Sequence, residues 1–225
     1  MKLCAVQQAV VEMRVLFITG DVSEQSGGWH CLQGIIRKLA NEDVKVGLVA
    51  PIKGENNQVE ERLCRHDVSI YRVPGVARPS SRAFGRLEMY TWLNSVTEVR
   101  TVIEEWQADV VHVNEVLDIP SIIAASSSST PVVCHLRADV RNPIVRGVSR
   151  AVVGATVDRL IAASQVCLEN FTNGWGCEHR STVIYDRSHI CELNRQYTKT
   201  SDVRDDRVQR CSNRDGGSAD NIQLG

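Results

Sequence analysis

The strongest constraint in this sequence is a regular change of period. Short apolar runs alternate with segments whose apolar residues return every three or four positions. The runs are MRVLFIT (13–19), VKVGLVAP (44–51), VSIYRVP (68–74), ADVVHVN (108–114), TPVVCHLR (130–137), DRLIAAS (158–164) and STVIYD (181–186). Most are too continuously apolar for a half-exposed strand, so both faces are expected to be buried, as in a parallel sheet. Between the first two runs, Leu32, Ile35, Ile36, Leu39 and Ala40 fall at i, i+3, i+4, i+7 and i+8, one face of a helix. The chain therefore opens strand–loop–helix–strand, a crossover that is nearly always right-handed. Further helices are expected from Leu87 to Trp106, over IPSIIAASS with Pro120 in the first turn, over VSRAVVGATV, and over QVCLENFTNGWG. Trp92 and Trp106 share the apolar spacing of their helix and read as core. The alternation predicts a single Rossmann-like, doubly wound α/β domain with a mostly parallel sheet. Such sheets bind ligands outside the carboxyl ends of their strands.

That domain is expected to span 13–186. Residues 1–12 read as an N-terminal extension and 187–225 as a polar tail, disordered or the product of a truncation. The tail is rich in Arg, Asp, Ser and Asn and has neither helical nor strand period. The formal net charge is −1, so nothing global recruits nucleic acid or an anionic membrane. The eight cysteines include no C-x-x-C pair, which argues against a zinc ribbon or a redox motif. Cysteines set inside apolar patterns suit a reducing compartment, and a cytoplasmic location is expected. No apolar run approaches the length of a membrane span.

Gly27 and Gly28 lie between the first strand and the first helical stretch. Glycine there would let backbone approach a phosphate, and the helix start offers free N–H groups and a positive dipole end. Neither G-x-G-x-x-G nor G-x-x-x-x-G-K-[ST] is present, so a flexible turn is the simpler reading. His112 and His135 each close an apolar strand and should emerge at the carboxyl edge, where imidazole can bind a hydroxyl or act as a base. No H-x-x-x-H spacing supports zinc. Glu115, Arg137 and Asp139 follow these strands and could bind hydroxyls, pair together, or simply be solvated loop charges. Ser164 suits a helix N-cap. A G-x-S-x-G elbow, a D-x-D pair and a Tyr followed four residues later by Lys are all absent.

In this order the pieces resemble the N-terminal, acceptor-side domain of family 4 glycosyltransferases, retaining enzymes of GT-B fold. Four stretches carry the resemblance: MRVLFITGDVSEQSGGWHCLQGIIRKLANEDVKVGLVAP, ADVVHVNEV, PVVCHLRADV and DRLIAASQVCLENFTNGWGCEHRSTVIYD. The resemblance implies transfer of a sugar from a nucleotide-sugar donor to a hydroxyl acceptor, with retention and without a cofactor or metal. It implies that Gly27 and Gly28 approach the donor diphosphate and that His135 lies near the anomeric centre as the catalytic residue. His112, Glu115, Arg137 and Asp139 would line the acceptor cleft. After VIYD the sequence departs from the family, whose second, donor-binding domain is expected to be lacking here. The chain alone is then expected to be inactive, one part of a split transferase, or a non-catalytic sugar- or protein-binding module. An NAD-linked enzyme is disfavoured by the missing glycine fingerprint. Arg78, Arg82 and Arg86 would allow peripheral membrane contact.

Overall fold

The computed structural model describes residues 12–23, 26–52, 63, 65–76, 86–173, 175 and 178–185. Its strands are β1 (Met13–Ile18), β2 (Val44–Ala50), β3 (Ser69–Arg72), β4 (Val110–Val113), β5 (Val132–Leu136), β6 (Arg159–Ala162) and β7 (Ser181–Val183). The helices are α1 (Gly27–Ala40), α2 (Arg86–Trp106), α3 (Ile119–Ser126), α4 (Pro143–Thr156) and α5 (Gln165–Thr172), with one 3-10 turn at Glu178–Arg180. The chain divides into Met1–Tyr185 and Asp186–Gly225, and all of the second unit lies outside the described residues. The tail expected over 187–225, most of the 1–12 extension, and Arg78 and Arg82 also lie outside them.

Each expected strand forms, and every strand pairing is parallel. The strand order is β3-β2-β1-β4-β5-β6-β7. The chain winds outward from β1 to β3, returns to β1's other side through α2, and then winds out to β7. The direction of winding therefore reverses between β1 and β4, the place where open α/β sheets leave a crevice for ligands.

Alternation along the strands sends successive side chains to two separate cores. Val15, Phe17, Val46 and Leu48 meet Trp29, Leu32 and Ile36 of α1. Leu16, Ile18, Val49, Val111, Cys134 and Leu160 meet the residues of the other four helices, among them Ile103, Ile122, Val153 and Phe171. Burying each such large side chain contributes about 1.5–3 kcal/mol. Trp106 is buried as its spacing suggests, whereas Trp92 is only half-buried. Gly47 leaves room for Trp106 and Leu16, because a Cβ there would stand 2.7 Å from Leu16 Cδ1 and 3.0 Å from Trp106 Cζ2.

Polar residues start α1, α3, α4 and α5. Ser26 Oγ accepts from Trp29 N–H at 3.3 Å, and Asp118 Oδ1 from Ser121 N–H at 3.4 Å. Asn142 Oδ1 accepts from the N–H groups of Ile144 and Val145 at 3.0 and 3.2 Å, and Ser164 Oγ from Cys167 N–H at 3.2 Å. Each satisfies a donor left over by the helix geometry. These caps move two boundaries. Helix α1 begins at Gly27, so the glycine pair forms its first turn and is not a loop. Helix α4 begins at Pro143, ahead of the 148–157 pattern, because Asn142 caps it and proline suits the first helical position. Helix α5 ends at Thr172, short of the expected 176.

Candidate functional site

Polar residues directly after β1, β4 and β5 meet where the winding reverses. Thr19 follows β1, Asn114 follows β4, and Arg137 follows β5. The backbone places the first two: Thr19 N–H donates to Val49 C=O at 3.0 Å, and Asn114 N–H donates to Ile18 C=O at 2.9 Å. Their side chains then connect, Asn114 Nδ2 donating to Thr19 Oγ1 at 3.4 Å. Arg137 Nε donates to Asn114 Oδ1 at 2.8 Å, a charge-assisted hydrogen bond of the stronger kind. Thr19 is 2% and Asn114 5% exposed, so this chain lies inside the protein.

The Arg137 stem runs against the first turn of α1. A Cβ on Gly28 would stand 3.1 Å from Arg137 Cδ, closer than ordinary contact. Gly27 has nothing within 4 Å of the same position and is exposed. The two glycines therefore differ: Gly28 admits the arginine, and Gly27 faces open space.

The two histidines stand side by side. In the register His112 lies between Phe17 of β1 and Val133 of β5, and His135 is two residues farther along β5 on the same face. The rings stack with centroids 5.7 Å apart and planes 25° from parallel, and Phe17 meets His112 edge-on at 5.0 Å. Both are buried, at 7% and 3% exposure. Each stands one residue from the carboxyl end of its strand, as expected, but its ring is buried and does not emerge into the open. The sequence HVN and HLR after the apolar positions continues each strand by at least one residue past its histidine.

Burial, with Arg137 adding to it, holds the His112 imidazolium far from favoured and lowers its pKa to about 4. Burial, then Arg137, then His112 lower His135 to about 3. Both rings are thus neutral at pH 7. His112 Nε2 and both ring nitrogens of His135 are buried without a hydrogen-bond partner among the described residues. A neutral imidazole offers one donor and one acceptor, the complement of a hydroxyl group. Buried polar atoms left this way are uncommon and point to a bound water or ligand group.

Of the other expected site residues, Glu115 is half-buried just after β4, and its charge, with that of Asp118, helps to keep the Cys134 thiol protonated beyond the effect of burial. Asp139 is exposed in the loop before α4, outside the buried group. Thr19 and Asn114 were not anticipated as site residues. The available signal was a polar residue ending an apolar run in FIT and HVN. Asp118 was also missed: burial raises its carboxyl to about 6, against the hydrogen bonds from Ser121 that favour the charged form.

Residues 26–185 match the family model described as a glycosyl transferase 4-like domain. The chain belongs to this family. Among solved structures, the glycosyltransferase-like domain is similar to Anabaena HepE in complex with UDP and glucose, at TM-score 0.59 and 20% identity, covering 77% of this chain and 44% of that one. It is similar to a glycosyltransferase from Rickettsia africae at TM-score 0.57 and 13% identity, covering 78% and 43% of the two chains. A UDP-N-acetylglucosamine 2-epimerase from Rickettsia bellii follows at TM-score 0.52 and 14% identity, covering 84% and 48%. These likenesses show the fold. The chain spans less than half the length of each of these structures. No curated protein matches the chain. Among the described residues of the domain, no group of three or more His, Cys, Asp or Glu could hold a metal ion, and no helix is long and apolar enough to cross a membrane.

Proposed function

We propose that this domain is the acceptor side of a glycosyltransferase that moves a sugar from a nucleotide-sugar donor to a hydroxyl acceptor, with retention at the anomeric carbon. The observation that carries the reading is the stacked pair of neutral, buried imidazoles at the sheet's switch point, three of whose nitrogens lack a partner. A sugar or acceptor presents hydroxyls, and each can donate to one ring nitrogen and accept from another. Membership of the glycosyltransferase 4-like family and the UDP and glucose bound by HepE support the same ligand class.

In this reading His135 lies nearest the reacting sugar, and His112 and Glu115 line the acceptor cleft, with Arg137 behind them. Asp139, on the exposed loop, meets the outer part of the acceptor. The first turn of α1, with Gly27 and Gly28, faces the donor diphosphate. A fourteen-residue helix with no acidic residue in its first turn presents a positive dipole end there. Together with cationic side chains it balances the charge of the departing diphosphate, so the chemistry assigned to these residues calls for no metal. The donor is presented by a second domain, from a longer chain or a partner chain. The protein works in the cytoplasm, where nucleotide sugars are held.

A transfer assay with common UDP-sugars tests this. The chain alone should give little or no transfer, and a donor-binding partner should restore transfer that His135→Ala then abolishes. Robust transfer by the 225-residue chain alone would show that the domain is more than an acceptor side.

A further inference from the structure

The reversal of winding between β1 and β4 is bridged by a side-chain chain that the family reading does not use. It runs from Thr19 Oγ1 to Asn114 Nδ2 at 3.4 Å, and from Asn114 Oδ1 to Arg137 Nε at 2.8 Å. Thr19 is fixed from three sides. Its N–H donates to Val49 C=O at 3.0 Å, its hydroxyl donates to Asp21 C=O at 3.1 Å, and the hydroxyl oxygen accepts from Asp21 N–H at 3.4 Å. The amide of Asn114 therefore has a defined orientation: its NH2 group faces the hydroxyl, and its oxygen faces the arginine.

We propose that Thr19 and Asn114 are positioning residues, which hold the Arg137 guanidinium against the first turn of α1 and beside the stacked rings of His112 and His135. Four elements meet in this one arrangement. Strands β1 and β4 supply the tether, β5 supplies the arginine and its neighbouring histidine, and α1 supplies the gap at Gly28. A long flexible arginine side chain loses up to about 2 kcal/mol of rotamer freedom on being fixed, and a buried acceptor at Nε offsets that cost in one pose. The acceptor must itself be oriented. An amide whose NH2 group had no partner could turn over and offer a donor to Arg137, and the hydroxyl of Thr19 prevents this.

The consequence is electrostatic. A guanidinium fixed here opposes protonation of both rings, adding to burial in each case. Among the described residues, Arg137 and His112 act on His135, and Arg137 acts on His112. The site then meets hydroxyl ligands with imidazoles and not imidazolium ions. That these rings meet a sugar or an acceptor at all rests on the glycosyltransferase reading. The positioning itself does not.

Histidine-ring NMR titration of the full chain separates the two, with the His112 and His135 signals assigned through His112→Gln and His135→Gln. Arg137→Gln should raise both titration midpoints by about one pH unit, the scale of a nearby charge. Asn114→Ala should raise them by at least half as much. The double variant should match Arg137→Gln alone, because Asn114 acts through the arginine. Thr19→Val, nearly isosteric, should give a smaller rise in the same direction, and it serves if Asn114→Ala does not fold. Midpoints unchanged in Asn114→Ala, or in Thr19→Val, while Arg137→Gln moves them would overturn the proposal. So would shifts that add in the double variant. In a parallel arm, UDP affinity should fall by a similar factor in Asn114→Ala and Arg137→Gln, without multiplying in the double. UDP binding that none of these variants weakens would count against the glycosyltransferase reading, and the titration arm would still decide the positioning.

Discussion

At the scale of single residues, the glycine pair separates into two roles that the sequence presents as one. Gly27 is exposed with open space where a Cβ would stand, whereas Gly28 would carry its Cβ to 3.1 Å from Arg137 Cδ. Gly27→Ala should therefore be neutral or stabilise by up to about 1 kcal/mol, since alanine is the better helix former. Gly28→Ala gains the same propensity but pushes the arginine stem away. It should raise the His112 and His135 titration midpoints as Arg137→Gln does, with little loss of melting temperature. Equal behaviour of the two variants in the histidine titration would contradict the contact. At this scale His112 and His135 stand out as candidates because a polar residue inside an apolar strand has to be explained, and Arg137 because a charge closes the same run. Thr19 and Asn114 do not, because one polar residue after a strand is ordinary. Their meaning comes from strand order, which brings residues ninety-five positions apart into hydrogen-bond contact. Asp139 shows the converse, a charge next to the right strand that the loop leaves in solvent.

At the scale of elements, period decided what the sequence could show. Runs such as MRVLFI and VKVGLVA are apolar through both faces, and the two cores on either side of the sheet are the reason. The strands were therefore readable to within one to three residues at each end. Helix starts were less so, since an N-cap reaches into residues that carry no apolar pattern. Asn142 is the clearest case, accepting two backbone hydrogen bonds at the start of a helix whose first residues Pro143, Ile144 and Val145 are exposed. The cap holds this exposed turn, so Asn142→Ala should cost about 1 kcal/mol in chemical denaturation. Hydrogen exchange should quicken at Ile144 and Val145 while remaining slow around Val153, which is buried. Faster exchange throughout the helix would mean that the turn is not separately held.

At the scale of the whole molecule, buried titratable groups make folding depend on pH. The histidines, lowered to about 4 and about 3 from an ordinary 6.5, bind protons more readily unfolded than folded. Their contribution to stability is complete above pH 6.5. It is lost on acidification at about 1.4 kcal/mol per pH unit for each ring. Asp118 acts in the opposite sense. Its carboxyl, raised from 3.8 to about 6, binds a proton more readily folded, so it destabilises increasingly as pH rises from 4 to 6 and fully above that. Between pH 6 and 4 the three effects leave a net loss of about 1.4 kcal/mol per unit on acidification. Asp118→Asn keeps a good N-cap and removes the opposing term. Urea unfolding should find it about 2–3 kcal/mol more stable than the parent at pH 7, with an acid limb about twice as steep. A variant no more stable at pH 7 and no steeper in acid would show that burial does not raise the Asp118 carboxyl.

The same three scales converge on the switch point between β1 and β4, where the domain should meet its sugar. Isotope-edited NMR of the full chain, titrated with UDP-glucose, tests that most directly. Saturable shifts should appear at the amides of Gly27 and Gly28 and at the rings of His112 and His135, and His135→Ala should weaken the response. Saturable binding of UDP-glucose that leaves all four of these residues unmoved would contradict the account.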